Sequence, residues 1–340
     1  MKINTRFPLI FILVFFTLFP VACVQNEQEG DAIDPELRAN IDVMNQRVIK
    51  ALSMNNAREI ISMFPDTIKR NSPFFADLRN TCELTHEVIK SKTYVPWLQF
   101  YEIRPDLGAE ISIYPLKDNE HAYSINYISG TRKSYVSLGL IKDSTTSLLI
   151  STIFSKMENN WKLVKLWVYP YKIMNRDAID WYYIAKQHYQ NGDIADAATS
   201  SGLAMALLTP AGKQWHYELE AKIEEQNSEI VSTAKSVYKF PYEVGQVWSS
   251  PSIINVSTAE YNYHYYPVIN YVSKLAFQDT SKLSRECDSM NMIIGSIFQG
   301  MDYNNQFILY KASNKEPKTD SEQVIQFRLV RASPANWYGR

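Results

Sequence analysis

The order of hydrophobic periods along the chain predicts an α+β fold: a helix-wrapped antiparallel curved sheet, a helical hairpin as linker, and a second small α+β sandwich. Three observations carry the prediction. Apolar residues recur at spacings of three and four between Leu37 and Leu52. They alternate in runs from Trp97 to Tyr169. Beyond residue 175 a helical pattern is followed by two pairs of strand-like runs around one further helix.

The first helix is expected to begin at Asp34-Pro35-Glu36. Asp caps the orphan N–H groups, Pro suits the first helical position, and an acid favours the positive helix end. Leu37, Ile41, Met44, Val48 and Leu52 then form one apolar face of roughly five turns. A shorter helix is expected from Asn56 to Phe64, stopped by Pro65, and another from Cys82 to Lys90. Six strands are expected next: Trp97 to Ile103, Ala109 to Tyr114, His121 to Ile128, Ser134 to Ile141, Ser147 to Met157 and Trp161 to Tyr169. Turn residues such as Pro105-Asp106-Leu107-Gly108 and Asn159-Asn160 separate them, and such short connections imply an antiparallel meander. Residues 34–174 are therefore read as one unit.

That unit resembles the nuclear transport factor 2-like superfamily, also called cystatin-like cones. The resemblance lies in the long first helix, the later strands and the ending Glu158-Asn159-Asn160-Trp161-Lys162-Leu163-Val164. It implies a curved sheet wrapping the first helix, with a pocket in some members; some members are enzymes and many only bind or assemble.

Residues 175–238 carry Trp181, Ile184-Ala185, Tyr189, Gly192-Asp193, Ala197, Ala204 and Pro210. This resembles a single tetratricopeptide repeat, with Pro210 displaced by one position. The resemblance implies a helical hairpin in which Ala185 and Ala197 let the helices approach and Gly192 turns the chain. A third helix is expected over Gly212 to Gln226. One repeat cannot bury its own faces, so it must pack on its neighbours; joining two sheets and receiving a partner are equal readings of it.

Residues 239–332 read as a β-β-α-β-β unit. Ser252 to Ser257 and Tyr261 to Phe277 are strand-like, and Asp279-Thr280 starts a helix with Leu283, Cys287, Met290, Ile294 and Ile297 on one face, ending at Gly300. Tyr303 to Ala312 and Gln323 to Val330 alternate as strands, and residues 333–340 are expected to be a loose tail.

The N-terminus speaks to location. Lys2 and Arg6 precede an almost wholly apolar run from Phe7 to Phe19, which is the layout of a secretory signal and is short for a membrane span. Pro20-Val21-Ala22-Cys23 follows and resembles the lipobox of bacterial lipoproteins, although Pro20 stands where Leu is usual. The resemblance implies a signal peptide over 1–22, removed before Cys23, and lipid attachment at the Cys23 thiol. The alternative is an ordinary secretory signal with an incidental cysteine. Residues 23–33 are polar and acidic, Gln25-Asn26-Glu27-Gln28-Glu29-Gly30-Asp31 among them, and are expected to be a flexible tether. An acidic stretch after the lipidated cysteine resembles surface-export signals of Bacteroidetes lipoproteins; a plain periplasmic tether fits as well. The location implied is the cell envelope, lipid-anchored, at the outer membrane, with either face open.

Composition narrows the chemistry. Removing Lys2 and Arg6 from 35 basic and 36 acidic residues leaves a mature net charge near −3, with no basic patch for nucleic acid. Cys82 and Cys287 remain after Cys23; a disulfide is permitted but not implied, and Cys287 on an apolar stripe reads as a buried thiol. No His-Glu-x-x-His, phosphate-binding glycine loop or Gly-x-Ser-x-Gly motif is present, so no catalytic residues, metal site or cofactor are expected. Cys82, His86 and Glu87 have a spacing that can put thiolate and imidazole on one metal, but further ligands are missing. His121, Tyr123 and Tyr127 share a face of one expected strand; they are the candidate ligand-binding residues if that face lines a cone, and a packed aromatic face otherwise. Tyr261, Tyr263 and Tyr265 form a second aromatic face opposite His264, suited to cross-strand packing or to stacking on sugar. The leading expectation is a binding or assembly protein held at the membrane by its lipid, with an envelope protein as partner. The rival is a small-ligand-binding, hydrolytic or isomerase-type protein with a cone pocket near His121.

Overall fold

The computed structural model describes residues 26–68, 72–116, 119–142, 145–261, 264–315 and 326–331. The expected signal peptide, Cys23 and the tail 333–340 lie outside the described residues. The architecture is α+β, with mainly antiparallel sheets.

The chain opens with strand β1, Asn26–Glu29, a short 3-10 turn, and helix α1, Pro35–Ser53. The Asp34 carboxylate accepts the Leu37 N–H at 2.9 Å, as its capping role requires. Helix α2 is Ala57–Met63, capped by Asn56, and α3 is Ser72–Lys90. The third helix is thus longer than the run from Cys82 that its apolar residues suggested. Strands β2 (Thr93–Ile103), β3 (Glu110–Leu116), β4 (Tyr123–Ile128), β5 (Lys133–Lys142), β6 (Thr146–Met157) and β7 (Asn160–Ile173) follow.

Two expectations about this part are corrected. First, Asn26–Glu29 is not loose tether: it pairs antiparallel with Ile103–Phe100 of β2. The edge of β2 offers backbone groups that any sequence can satisfy, polar side chains notwithstanding. Second, the six strands are not one meander. The first sheet has the order β1-β2-β5-β6-β7, while β3 and β4 leave it and form a sheet with a later strand, β8.

The reason for the departure lies in burial. Strand β5 is buried at all but its end residues and β6 along its central seven, without alternation. Such strands need cover on both faces. On one face Ile41, Val48 and Leu52 of α1 pack with Tyr135, Ile150 and Phe154. Asn45 pins the helix there, donating to Ser137 Oγ and accepting from Thr152 Oγ1, each at 2.9 Å. On the other face Val136, Leu138 and Leu149 join a cluster with Tyr123, Ile125, Trp181, Leu203 and Trp215. The second face is therefore closed by β3, β4 and the helices that follow.

Those helices are α4 (Ala178–Asn191), α5 (Ile194–Ala206) and α6 (Glu220–Val237), with β8 (Trp215–Tyr217) between α5 and α6. Gly192 turns the chain with φ 81°, and Ala185, Ala197 and Ile230 form a small core among the three helices. The helix expected over 212–226 instead starts at Glu220, because Trp215-His216-Tyr217 alternates and pairs with Ile125–Tyr123 of β4. The boundary expected at residue 174 is crossed by this pairing and by the shared core.

The last part contains β9 (Tyr242–Glu243), β10 (Ser252–Tyr261), β11 (His264–Val272), α7 (Thr280–Ile297), α8 (Met301–Asn304), β12 (Phe307–Ser313) and β13 (Gln326–Arg331). Sheet order is β13-β12-β11-β10-β9, with β11 and β12 parallel across α7. The helix buries Leu283, Cys287, Met290 and Ile294, the stripe read from the sequence. Tyr303 belongs to α8 and not to a strand.

Candidate functional site

The residues nominated from the sequence do not converge on one cavity. Tyr123 is 3% exposed, and its ring stacks on Trp215 at 3.8 Å between centroids. Tyr127 is 6% exposed, with its hydroxyl 2.8 Å from Ser134 Oγ. Burial raises both phenols far above the usual range. These rings are packing, and they fill the face that a cone pocket would occupy. His121 precedes β4 in a turn and stands outside this cluster, at the start of α4.

There His121 Nδ1 lies 2.8 Å from Asp177 Oδ2, and Nε2 lies 3.9 Å from Asp180 Oδ1. Ligand atoms of the three residues fall within 4.8 Å of one another, a spacing that a metal ion can bridge. The carboxylates are nevertheless committed elsewhere. Asp177 Oδ1 accepts the N–H groups of Ile179 and Asp180 at 3.0 and 3.1 Å, and Asp180 Oδ2 accepts the Asp177 N–H at 3.0 Å. This is a capping box at the positive end of a helix, where a cation is disfavoured. Its effect is structural: Asp177→Ala is expected to lower stability by about 1–2 kcal/mol, read as a reduced urea midpoint with an unchanged slope.

The remaining nominations resolve similarly. Cys82 is fully buried and burial raises its thiol to about 11. His86 is engaged within its own helix, with Nδ1 2.8 Å from Glu83 O and Nε2 3.1 Å from Glu87 Oε1. Among the described residues no disulfide joins Cys82 to Cys287, whose Sγ lies 3.2 Å from the Tyr271 hydroxyl. Tyr261 ends β10 and pairs with His264 at the start of β11, so Tyr261 and Tyr265 lie on different strands. Tyr263 lies outside the described residues.

A site not anticipated from the sequence lies where α4 and α5 meet the last unit. A cavity of about 250 Å³ opens there. Two larger hollows are poorer candidates: a 610 Å³ cleft on the outer faces of α2 and α3 holds mostly exposed helix side chains, and a 390 Å³ groove between α5, α6 and β10 is lined mainly by small and apolar ones. The smaller cavity has the convergent buried polar groups that ligand sites need. Asp196 is 2% exposed on α5. Its Oδ1 accepts Asn305 Nδ2 at 2.7 Å, and its Oδ2 accepts Asn304 Nδ2 at 2.9 Å. Asn304 Nδ2 also donates to Asp193 Oδ2 at 2.9 Å, and Asn305 Nδ2 donates to Met301 O at 2.9 Å. Gly300, at φ 85°, passes so close to Asp193 that a Cβ would lie 2.5 Å from its carboxyl carbon. Arg176 lies over the Trp181 ring at 5.2 Å on the same wall.

Both hydrogens of each asparagine amide are spent, so each Oδ1 remains as an acceptor beside the Asp196 carboxylate. Thr199 Oγ1 spends its hydrogen on Asp196 O at 3.0 Å, and the Tyr265 hydroxyl donates to Glu260 Oε2 at 3.2 Å. Around Asp196 the wall accepts more than it donates, while Arg176, His188 and Ser200 line the rest of the cavity. The Asp196 side suits the N–H or O–H groups of a ligand.

Burial raises the Asp196 carboxyl above its ordinary range; the Asn304 and Asn305 amides and nearby His188 pull it back, and Asp193 pushes it up. A raised folded pKa favours the protonated folded form. Its contribution to stability is full below the ordinary value of 3.8 and is lost as pH rises through the folded pKa. Melting temperature measured against pH from 3.8 upward is expected to show this fall, and Asp196→Asn to flatten it whatever its effect on absolute stability.

Sequence reasoning passed over this cluster because Gly192-Asp193 reads as a repeat turn and Asn304-Asn305 as part of a strand. One signal was available: Asp196 stands in the small apolar run Ile194-Ala195-Asp196-Ala197-Ala198, where an acid on a packed helix needs a partner. No family model, curated protein or solved structure matches the chain.

Proposed function

We propose that this chain is a lipid-anchored protein of the cell envelope that binds a small, hydrogen-donor-rich molecule, a polyol or a primary amine, at the junction of its helix pair and its C-terminal unit. The observation that carries the binding role is the acceptor-lined cavity around Asp196, closed by Asn304 and Asn305. The signal layout and Cys23 support the lipid anchor and the outer-membrane location. In this reading residues 34–174 are a nuclear transport factor 2-like scaffold whose would-be pocket is filled, and the tetratricopeptide-like pair is a joint whose groove beside Trp181 is taken up by the chain's own last unit. A role without catalysis fits the use of His121, Asp177 and Asp180 as a helix cap.

Calorimetric titration of the mature chain with a hexose and with a primary amine, repeated on Thr199→Trp, tests the reading. Binding of one of the two by wild type, lost in the variant with the fold retained, is the expected result. Equal heats from both proteins would remove the cavity as the seat. Clickable fatty-acid labelling of wild type and Cys23→Ala tests the anchor; labelling of both, or of neither, would sink it.

A further inference from the structure

The first sheet has two ends, and the anchor leaves from one of them. Asn26 of β1 pairs with Ile103, the last residue of β2. Cys23 is three residues earlier in sequence, so its thiol is held within about 11 Å of chain from that pairing. A lipid on Cys23 therefore brings this particular end to the bilayer, with no long spacer to let the body turn.

The same end carries unpartnered apolar tips. Leu107 is 69% exposed and Ile128 is 72% exposed. Backbone bonds hold their segments together beside the anchor: Arg104 N–H donates to Arg132 O at 2.8 Å, Gly108 N–H to Ser129 O at 2.9 Å, and Ser129 N–H to Ala109 O at 3.1 Å. Exposed Arg132 and Lys133 follow at the start of β5. At the end of β6, Lys156 lies 6.0 Å from the Trp161 ring. With Lys162 these four bases stand against Glu27, Asp106, Glu110 and Glu158, so this end of the sheet is near neutral, and the bases Arg132 and Lys133 lie together beside the apolar tips. Apolar tips, a half-buried Trp and flanking bases are the chemistry of a surface that rests in a headgroup layer.

We propose that this end of the first sheet lies against a phospholipid membrane, with Leu107 and Ile128 entering the headgroup layer and Arg132, Lys133 and Lys156 meeting lipid phosphates. The proposal rests on the lipid-anchor reading. It orients the molecule: α4 starts at the far end of β7, where Asn175 N–H donates to Thr145 O at 2.7 Å. That strand has 14 residues, roughly 45 Å at ~3.3 Å each. The cavity around Asp196 is thus carried away from the bilayer.

The test couples the full mature chain through Cys23 to maleimide-lipid vesicles of one part phosphatidylglycerol to three parts phosphatidylethanolamine, since Cys82 and Cys287 are buried. Amide hydrogen exchange is then compared with the uncoupled chain. Residues 104–109 and 128–133 are expected to exchange more slowly, by about fivefold for each basic side chain engaged, while 145 and 173–176 do not change. Leu107→Ser with Ile128→Ser, and separately Arg132→Gln with Lys133→Gln, are expected to lose that protection. Unchanged exchange at 104–109 and 128–133, or protection at the far end of the sheet instead, would overturn the docking. Chemical coupling keeps this measurement independent of lipidation in cells. Absence of fatty acid on the cellular protein would therefore defeat the anchor reading while the vesicle result still judged the surface.

Discussion

Arg104→Ala is expected to lower stability by about 3–5 kcal/mol at pH 8 and by much less at pH 5. Glu102 is completely buried in β2, and Arg104 Nη2 lies 2.9 Å from its Oε2. The contact is an ion pair: neither carboxylate oxygen has a partner in hydrogen-bond geometry among the described residues. Burial raises the Glu102 carboxyl to about 7, against the opposing pull of Arg104. The sign follows from that direction. Glu102 contributes most below its ordinary value of 4.5, where it is neutral in both states, and its contribution is lost as pH rises through about 7. Removing Arg104 strips the cation that offsets the charge, so the penalty grows as the carboxylate ionises. Urea unfolding at the two pH values, with Glu102→Gln as reference, measures this. An equal loss at both pH values would mean that Glu102 carries no buried charge, and Arg104→Ala in the Glu102→Gln background should show no such pH dependence.

The same strand shows what a sequence can and cannot reveal. The period of β2 through β7 was readable because each strand alternates or is evenly apolar, and Asp34, Asn56 and Asp279 mark helix starts by local chemistry alone. The partners of these strands were not readable. Pairing of β4 with Trp215–Tyr217, about ninety residues later, depends on which apolar faces remain uncovered once α1 has taken one side of the sheet. Asn26–Glu29 became a strand because an edge was open beside it, not because its residues prefer one. The candidate cavity failed to show for a related reason. Asp193, Asp196, Asn304 and Asn305 are ordinary cap and turn residues until folding brings two segments more than a hundred positions apart into contact. Tyr123 and Tyr127 were conspicuous by type and spacing, yet the same alternation that places a ring in a pocket also places it in a core.

Trp215→Ala should cost about 3–5 kcal/mol and lower the melting temperature by roughly 6–20 °C. Trp215 is fully buried, stacked on Tyr123 and edge-on to Tyr171 at 6.0 Å and Tyr217 at 5.6 Å. It sits on a three-residue strand, too short to hold its place by backbone pairing alone. The ring fastens the segment after α5 to β4, and it belongs to the cluster that covers the inner face of β5 and β6. Its loss should therefore be felt on both sides of residue 174. Hydrogen exchange in Trp215→Ala is expected to speed up together in β4, β8 and α4, while α7, which packs in a separate cluster, keeps its protection. A Tyr123→Ala double-mutant cycle isolates the stack itself, with a coupling of about 0.5–1.5 kcal/mol. Trp215→Phe keeps an aromatic face against Tyr123 and should recover much of the loss. If Trp215→Ala instead left β4 and α4 protected and loosened β8 alone, the sheet and the helix pair would be separate folding units, and the shared core would be contact without cooperativity.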